Sequence, residues 1–307
     1  MSLRLEFAET IYKISKKDKR VSVVVGDISH GIFKKFRDKS PSKYFNIGIC
    51  EPSMVSFSSG LAKVGLIPVV HTIAPFLIER CVEQIKLGFG YNKLNGNFVS
   101  VGGSYDYSKL GCTHHTYSDF SIIKNIPNTR IFYPSGLNEF YNLFKQSYNK
   151  NYINYFRLPA KMHAENFSSK QIKVGKAIKV TSGDKLTICC FGPFLSDLKE
   201  IVKEFEKKKI SIELLYYPTI KPFDFQTLRK SIKKTKKILV IEEHCTNGGA
   251  SGYVQETLIK DKISNSFFLT LPNRFIDGYG EYDDLAKKVG FTKENFCNKI
   301  NSLLKKG

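Results

Sequence analysis

Short β-prone runs alternate with helical stretches along this chain, and the alternation stops and restarts once. Arg20-Val-Ser-Val-Val-Val-Gly26 is rich in β-branched residues, and similar runs recur at 44–49, 66–71, 97–101, 130–133 and 152–158. Apolar residues at helical spacing lie between them, at 3–17, 51–62, 76–89, 117–125 and 136–149. Residues 161–175 are polar and weakly patterned and read as a linker. Strand signals then return at 186–191, 210–216, 238–242 and 266–270, with helical stretches at 195–208, 224–234, 248–260 and 293–305. Strands alternating with helices pack as a parallel sheet covered on both faces. The expected class is therefore α/β: two consecutive domains with mostly parallel sheets, over 1–160 and 176–307. A length of 307 residues suits two domains.

One carboxylate stands where such a frame places chemistry. Tyr44-Phe-Asn-Ile-Gly-Ile49 runs into Cys50 and Glu51, and Pro52 opens a helical pattern through Met54, Val55, Phe57 and Leu61. A carboxyl at a strand-to-helix junction is partly desolvated, which favours its protonated form. That suits a group sharing a proton with a ring nitrogen. The plainer reading is a first-turn Glu complementing the helix N-terminus. Gly26-Asp27-Ile28-Ser29-His30 is a polar turn after a strand, at the sheet edge where open α/β sheets bind ligands.

Charge and cysteine usage narrow the class. The formal net charge is +20, but only eight of the 48 basic residues are arginine, and the lysines fall in dispersed clusters such as 16–19, 207–209 and 233–237. Nucleic-acid binders more often gather Arg and exposed aromatics on one face. A solvated lysine-rich surface is therefore expected, with nucleic acid disfavoured as a partner. The seven cysteines are odd in number, scattered and without a CxxC pair, which argues against a disulfide framework or a zinc site. Buried thiols are the default expectation. No apolar run reaches the roughly 18–20 residues of a membrane span, and the N-terminus lacks a signal-peptide pattern. A soluble, cytoplasmic protein is expected.

Several segments together resemble the transketolase family of thiamine-diphosphate enzymes, specifically the C-terminal half found as a separate subunit in split transketolases. They are Tyr44-Phe-Asn-Ile-Gly-Ile-Cys-Glu51, Gly60-Leu-Ala-Lys-Val-Gly-Leu-Ile-Pro68, Arg80-Cys-Val-Glu-Gln-Ile85, Thr113-His114 with Ile126-Pro-Asn128, Thr219-Ile-Lys-Pro-Phe-Asp224, and Glu242-Glu-His244 with Gly248-Gly249. The set keeps the family's order along nearly the whole chain. The resemblance implies a pyrimidine-binding domain followed by a transketolase C-terminal domain, acting in glycolaldehyde transfer between sugars or sugar phosphates. It assigns Glu51 as the carboxyl that hydrogen-bonds the cofactor's aminopyrimidine N1′. Phe76, or Leu77 with the register moved by one, is the aromatic-position residue against that ring. His114, from the family's Thr-His segment, faces substrate. Arg157 matches an arginine that binds the sugar phosphate. Asp27, beside His30, matches a loop near the cofactor, and His71 stands where the family often has Ser or Thr, within reach of substrate.

The resemblance also implies what another chain supplies. The family holds the diphosphate and Mg²⁺ through a Gly-Asp-Gly…Asn segment, and Gly26-Asp27-Ile28 and Gly183-Asp184-Lys185 lack its second glycine. A separate N-terminal transketolase subunit is the expected partner, in a heterotetramer that self-associates through the C-terminal and pyrimidine domains. One stretch departs from the pattern: Lys109 and Leu110 stand where pentose-phosphate transketolases carry acids before Thr-His. That points to a specialised sugar. The alternatives are chemistry like that of 1-deoxyxylulose-5-phosphate synthase or a 2-oxo-acid dehydrogenase β-subunit, or a non-catalytic assembly subunit. The run Glu242-Glu243-His244 reads as structural or interfacial, and the role of His115 stays open.

Overall fold

Twelve strands form two sheets in the computed structural model, which describes residues 2–246 and 248–305. The strands are β1 (Val21–Val25), β2 (Tyr44–Asn46), β3 (Ile67–Ile73), β4 (Gly96–Val101), β5 (Thr129–Phe132), β6 (Ile153–Leu158), β7 (Ile178–Thr181), β8 (Leu186–Phe191), β9 (Ile212–Tyr216), β10 (Thr219–Lys221), β11 (Ile238–Cys245) and β12 (Ser266–Leu271). The first sheet has the order β10-β5-β6-β4-β3-β1-β2, and the second β12-β11-β8-β9-β7. All pairings are parallel except two, β10 on β5 and β7 on β9. Every residue of β1, β4, β6, β8 and β9 is buried. That is why these runs read as continuous apolar stretches rather than alternating ones.

The sequence reading misses β7 and β10. Both are short and polar, and pairing decides them rather than propensity. β10 carries residues of the Thr219–Asp224 motif out of the C-terminal half and onto the edge of the first sheet, where Thr219 pairs with Phe132. The helix expected over 76–89 is broken into π-helical turns at Pro75–Glu79 and Ile85–Tyr91 around a short helix, Val82–Gln84. Such turns are rare and concentrate at functional sites. One apolar cluster runs from Phe7 and Val23 through Phe156 to Leu186, Leu198 and Leu303, so the two halves share a core.

Candidate active site

The parallel arrangement points the carboxyl ends of β1 to β4 the same way. The segments that follow them carry Asp27, Glu51, Phe76 and His114 to one edge of the sheet. Such edges are where open α/β sheets hold ligands. Gly48, at φ +77, turns the chain between β2 and the helix Glu51–Lys63. Met54 and Val55 pin that helix into the core. Glu51, its first residue, is only 3% exposed, more deeply buried than the junction alone suggested.

Arg80 follows the π-helical turn and donates from Nη1 to Glu51 Oε2 at 3.2 Å. Its guanidinium carbon also lies 3.9 Å from the centre of the Phe76 ring, a cation–π contact. Phe76 is half-buried and meets His114 edge-on, with ring centres 5.1 Å apart. His114 Nδ1 is 3.0 Å from Thr113 Oγ1, and the Tyr107 ring stands 6.0 Å away. Glu51, Arg80, Phe76 and His114 thus form an unbroken chain of contacts. Partial burial, helped by the Arg80 charge, lowers the His114 pKa, so the ring is neutral at pH 7. Burial, and then the Glu51 charge, pushes the Cys81 thiol up to about 12, which removes it as a nucleophile.

Leu77 is fully buried in the apolar core, so it has no face to offer a ring; Phe76 is the member of that pair at the site. Asp27 lies at the lip. Its Oδ1 accepts from His30 Nε2 at 2.9 Å and from Asn46 Nδ2 at 3.1 Å. The His30 contact, with Asn46, holds the carboxyl below its ordinary range.

Two expected substrate ligands, His71 and Arg157, are buried. His71 is fully buried in β3; Nδ1 donates to the Val99 carbonyl at 2.7 Å, so Nε2 accepts from Ser29 Oγ at 2.9 Å. Burial takes its pKa down to about 4. A neutral ring with both nitrogens engaged is a packing element that braces the Ser29 turn, with no atom left for substrate. Arg157 is 1% exposed. Its guanidinium meets Asp119 Oδ1 at 3.2 Å, the Glu243 carbonyl at 2.9 Å and the rings of Phe120 and Tyr133. It ties β6 to β11 across the two halves.

The run Glu242-Glu243-His244 is structural. Glu242 accepts from the backbone N–H groups of Ala250 (2.7 Å) and Ser251 (2.8 Å) and so caps the buried start of the helix Ala250–Lys260. Glu243 takes the Tyr282 hydroxyl and faces Arg157. His244 stacks on Phe120 with centres 5.2 Å apart. Burial alone would lower its pKa, but contact with Cys245 and the charges of Glu242 and Asp119 outweigh burial and raise it. His115 is buried against the Tyr117 hydroxyl at 3.0 Å. Of the cysteines, Cys50 and Cys112 are exposed, contrary to the default of buried thiols.

Arg80 and Tyr107 were not assigned roles from the sequence. The available signal for Arg80 was its spacing, four residues after Phe76, which puts the two on one helical face. Nothing in the spacing marks Tyr107.

The model of the transketolase pyrimidine binding domain matches residues 1–163, and that of the transketolase C-terminal domain matches residues 175–295. The chain belongs to the transketolase family. One subunit of the apulose-4-phosphate transketolase of Actinobacillus succinogenes is 30% identical over 294 residues, covering 92% of each chain. 1-Deoxy-D-xylulose-5-phosphate synthase of Francisella tularensis subsp. novicida is 29% identical across 97% of this chain, which spans 48% of that protein. Among solved structures, a split-gene transketolase described as an inactive beta4 tetramer superposes with a TM-score of 0.87 at 23% identity, covering 99% of this chain and 98% of that one.

The family implies thiamine diphosphate, and the residues of this transketolase-family chain fit its pyrimidine end. A buried carboxyl can meet a ring nitrogen, and a half-buried aromatic ring beside it can meet a heterocycle's face. Among the described residues, no group of three or more His, Cys, Asp or Glu is arranged to hold a metal ion. No described helix is long and apolar enough to cross a membrane.

Proposed function

We propose that this chain is the pyrimidine-binding and C-terminal-domain subunit of a two-chain thiamine-diphosphate enzyme that moves a two-carbon ketol unit between sugars or sugar phosphates. The observation that carries this reading is the buried Glu51 carboxyl with Phe76 and His114 gathered beside it at one sheet edge. Thiamine diphosphate, when bound, supplies the nucleophilic carbon that takes up the ketol unit. Glu51 holds a proton at a pyrimidine nitrogen, and Arg80 fixes the carboxyl's orientation. Phe76 presents its ring to the heterocycle. His114, neutral and anchored at Nδ1 by Thr113, offers Nε2 to a substrate hydroxyl.

The diphosphate and Mg²⁺ are held by a separate N-terminal subunit, and the assembly is a cytoplasmic heterotetramer. The name of the Actinobacillus relative supports a specialised keto-sugar phosphate as substrate, and the description of the split-gene structure supports self-association of this chain. Calorimetry of the chain reconstituted with its N-terminal partner tests the proposal. Saturable thiamine diphosphate binding that requires both chains and Mg²⁺, with ketol transfer from a keto-sugar phosphate, is expected. Binding of the cofactor by neither the pair nor either chain refutes it, and turnover of pyruvate in place of a ketol donor redirects it to synthase chemistry.

A further inference from the structure

The first sheet carries a second concavity, at the edge opposite the candidate active site. Arg4, at the start of the helix Leu3–Ser15, donates to Ser29 Oγ at 2.7 Å, beside the carboxyl end of β1. By Lys16 the chain has run about 18 Å back toward the amino ends of the strands. There Lys13, Ile14, Lys16 and Lys17 meet Tyr141, Lys145 and Tyr148, at the end of the helix Glu139–Ser147, around a cavity of about 370 Å³. Its walls are fixed. Asn95 and Asn97, at the start of β4, donate to the Tyr148 carbonyl at 2.7 and 3.0 Å. The Tyr148 hydroxyl donates to Asp18 Oδ2 at 3.2 Å, and its ring stacks on Phe144. Ile14 is buried and gives the cavity an apolar base.

Every charged residue that lines this cavity is a lysine. The carboxylates nearby are already engaged. Asp18 takes two N–H groups of the Arg20 guanidinium, at 2.9 and 2.7 Å. Glu6 is buried under the backbone N–H groups of Asn138 and Tyr141, at 3.1 and 3.2 Å. Glu9, one turn before Lys13, is paired with Lys35. Two helices end here, and each end contributes about half a negative charge. Against four ammonium groups, that leaves a field of roughly three positive charges over an apolar, aromatic base.

We propose that this cavity binds a nucleoside di- or triphosphate, with the base against the tyrosines and the phosphates among Lys13, Lys16, Lys17 and Lys145. Tyrosine rings and an isoleucine suit a flat heterocycle. Clustered ammonium groups suit an anion of several charges, and a single phosphate, at about two negative charges, does not neutralise them. The inference stands apart from the ketol-transfer reading, because no residue of that site lines this cavity.

Calorimetry with ATP tests it, on the full chain alone and on the chain reconstituted with its N-terminal partner and saturated with thiamine diphosphate. The ionic strength is about 0.15 M, where only close charge contacts escape screening. ATP is expected to bind once per chain, about tenfold more tightly than inorganic tripolyphosphate and about 100-fold or more above adenosine. Lys16→Ala and Lys145→Ala are each expected to weaken ATP about fivefold. Tyr141→Leu is expected to weaken ATP several-fold and to leave tripolyphosphate unchanged. Lys207→Ala, in a lysine run on another helix, is expected to change neither. Absence of saturable ATP binding, tripolyphosphate binding as tight as ATP, a loss in Lys207→Ala equal to that in Lys16→Ala, or binding that disappears when the partner is added overturns the inference. None of these outcomes touches the ketol-transfer reading, which stands or falls on donor turnover.

Discussion

Arg80 reaches Glu51 at 3.2 Å while its guanidinium lies 3.9 Å from the Phe76 ring centre, so one side chain braces both the carboxyl and the aromatic ring of the site. The carboxyl is buried and the guanidinium is about half exposed. An ion pair with one solvated partner contributes about 1 kcal/mol. Arg80→Met is therefore expected to lower kcat/KM of the assembled enzyme about fivefold, with the fold kept, as read by steady-state kinetics beside circular dichroism. A loss as large as that of a Glu51 variant would mean that Arg80 itself touches the reacting groups.

Arg157 gives the opposite expectation. It is sealed between Asp119 and Glu243, and removing it leaves two buried carboxylates without their cation. Breaking such a pair costs about 3–5 kcal/mol. Arg157→Met should shift the urea midpoint sharply downward, whereas a phosphate ligand would show a raised KM at unchanged stability.

His71 sets a pH dependence of stability. Its folded pKa is about 4 against an ordinary 6.5, because burial disfavours the charged ring. Between those values the unfolded chain binds a proton that the folded chain does not, so stability falls as pH drops from about 6.5 to about 4 and this contribution is flat below. The whole effect is about 3 kcal/mol at most. His71→Asn should flatten that window in denaturation curves measured from pH 7 to 4, and an unchanged slope would contradict the assignment.

Thiol reactivity separates the cysteines. Cys50 and Cys112 are exposed, Cys81 is pushed up to about 12 and the buried Cys189 and Cys190 are raised further. A disulfide reagent at pH 8 should modify Cys50 and Cys112 fastest in the folded chain, as read by peptide mass spectrometry. Rapid loss of Cys81 would contradict the packing around Glu51.

The sheet architecture was legible in the sequence because β1, β4, β6, β8 and β9 are buried on both faces and read as unbroken apolar runs. β10 was not, because three residues join a sheet built from another part of the chain and only long-range pairing selects them. Local motifs singled out Glu51 and His114, which the fold brings to one sheet edge. The burial of His71 and Arg157 was not legible, for a shared reason. Each lies within a strand near its carboxyl end, a position that marks ligand sites and sealed structural contacts alike, and spacing carries no information about burial. The contact of Tyr279 with Gly111 joins residues 168 positions apart, and no local pattern could reveal it.

The most direct test of the account is Glu51→Gln in the chain reconstituted with its N-terminal partner, followed by turnover and by thiamine diphosphate calorimetry. The amide keeps the shape of the buried side chain but cannot hold a shared proton as the carboxyl does. The account predicts an assembled, folded complex whose turnover falls about 100-fold or more. Near-wild-type turnover with ordinary cofactor affinity would contradict it.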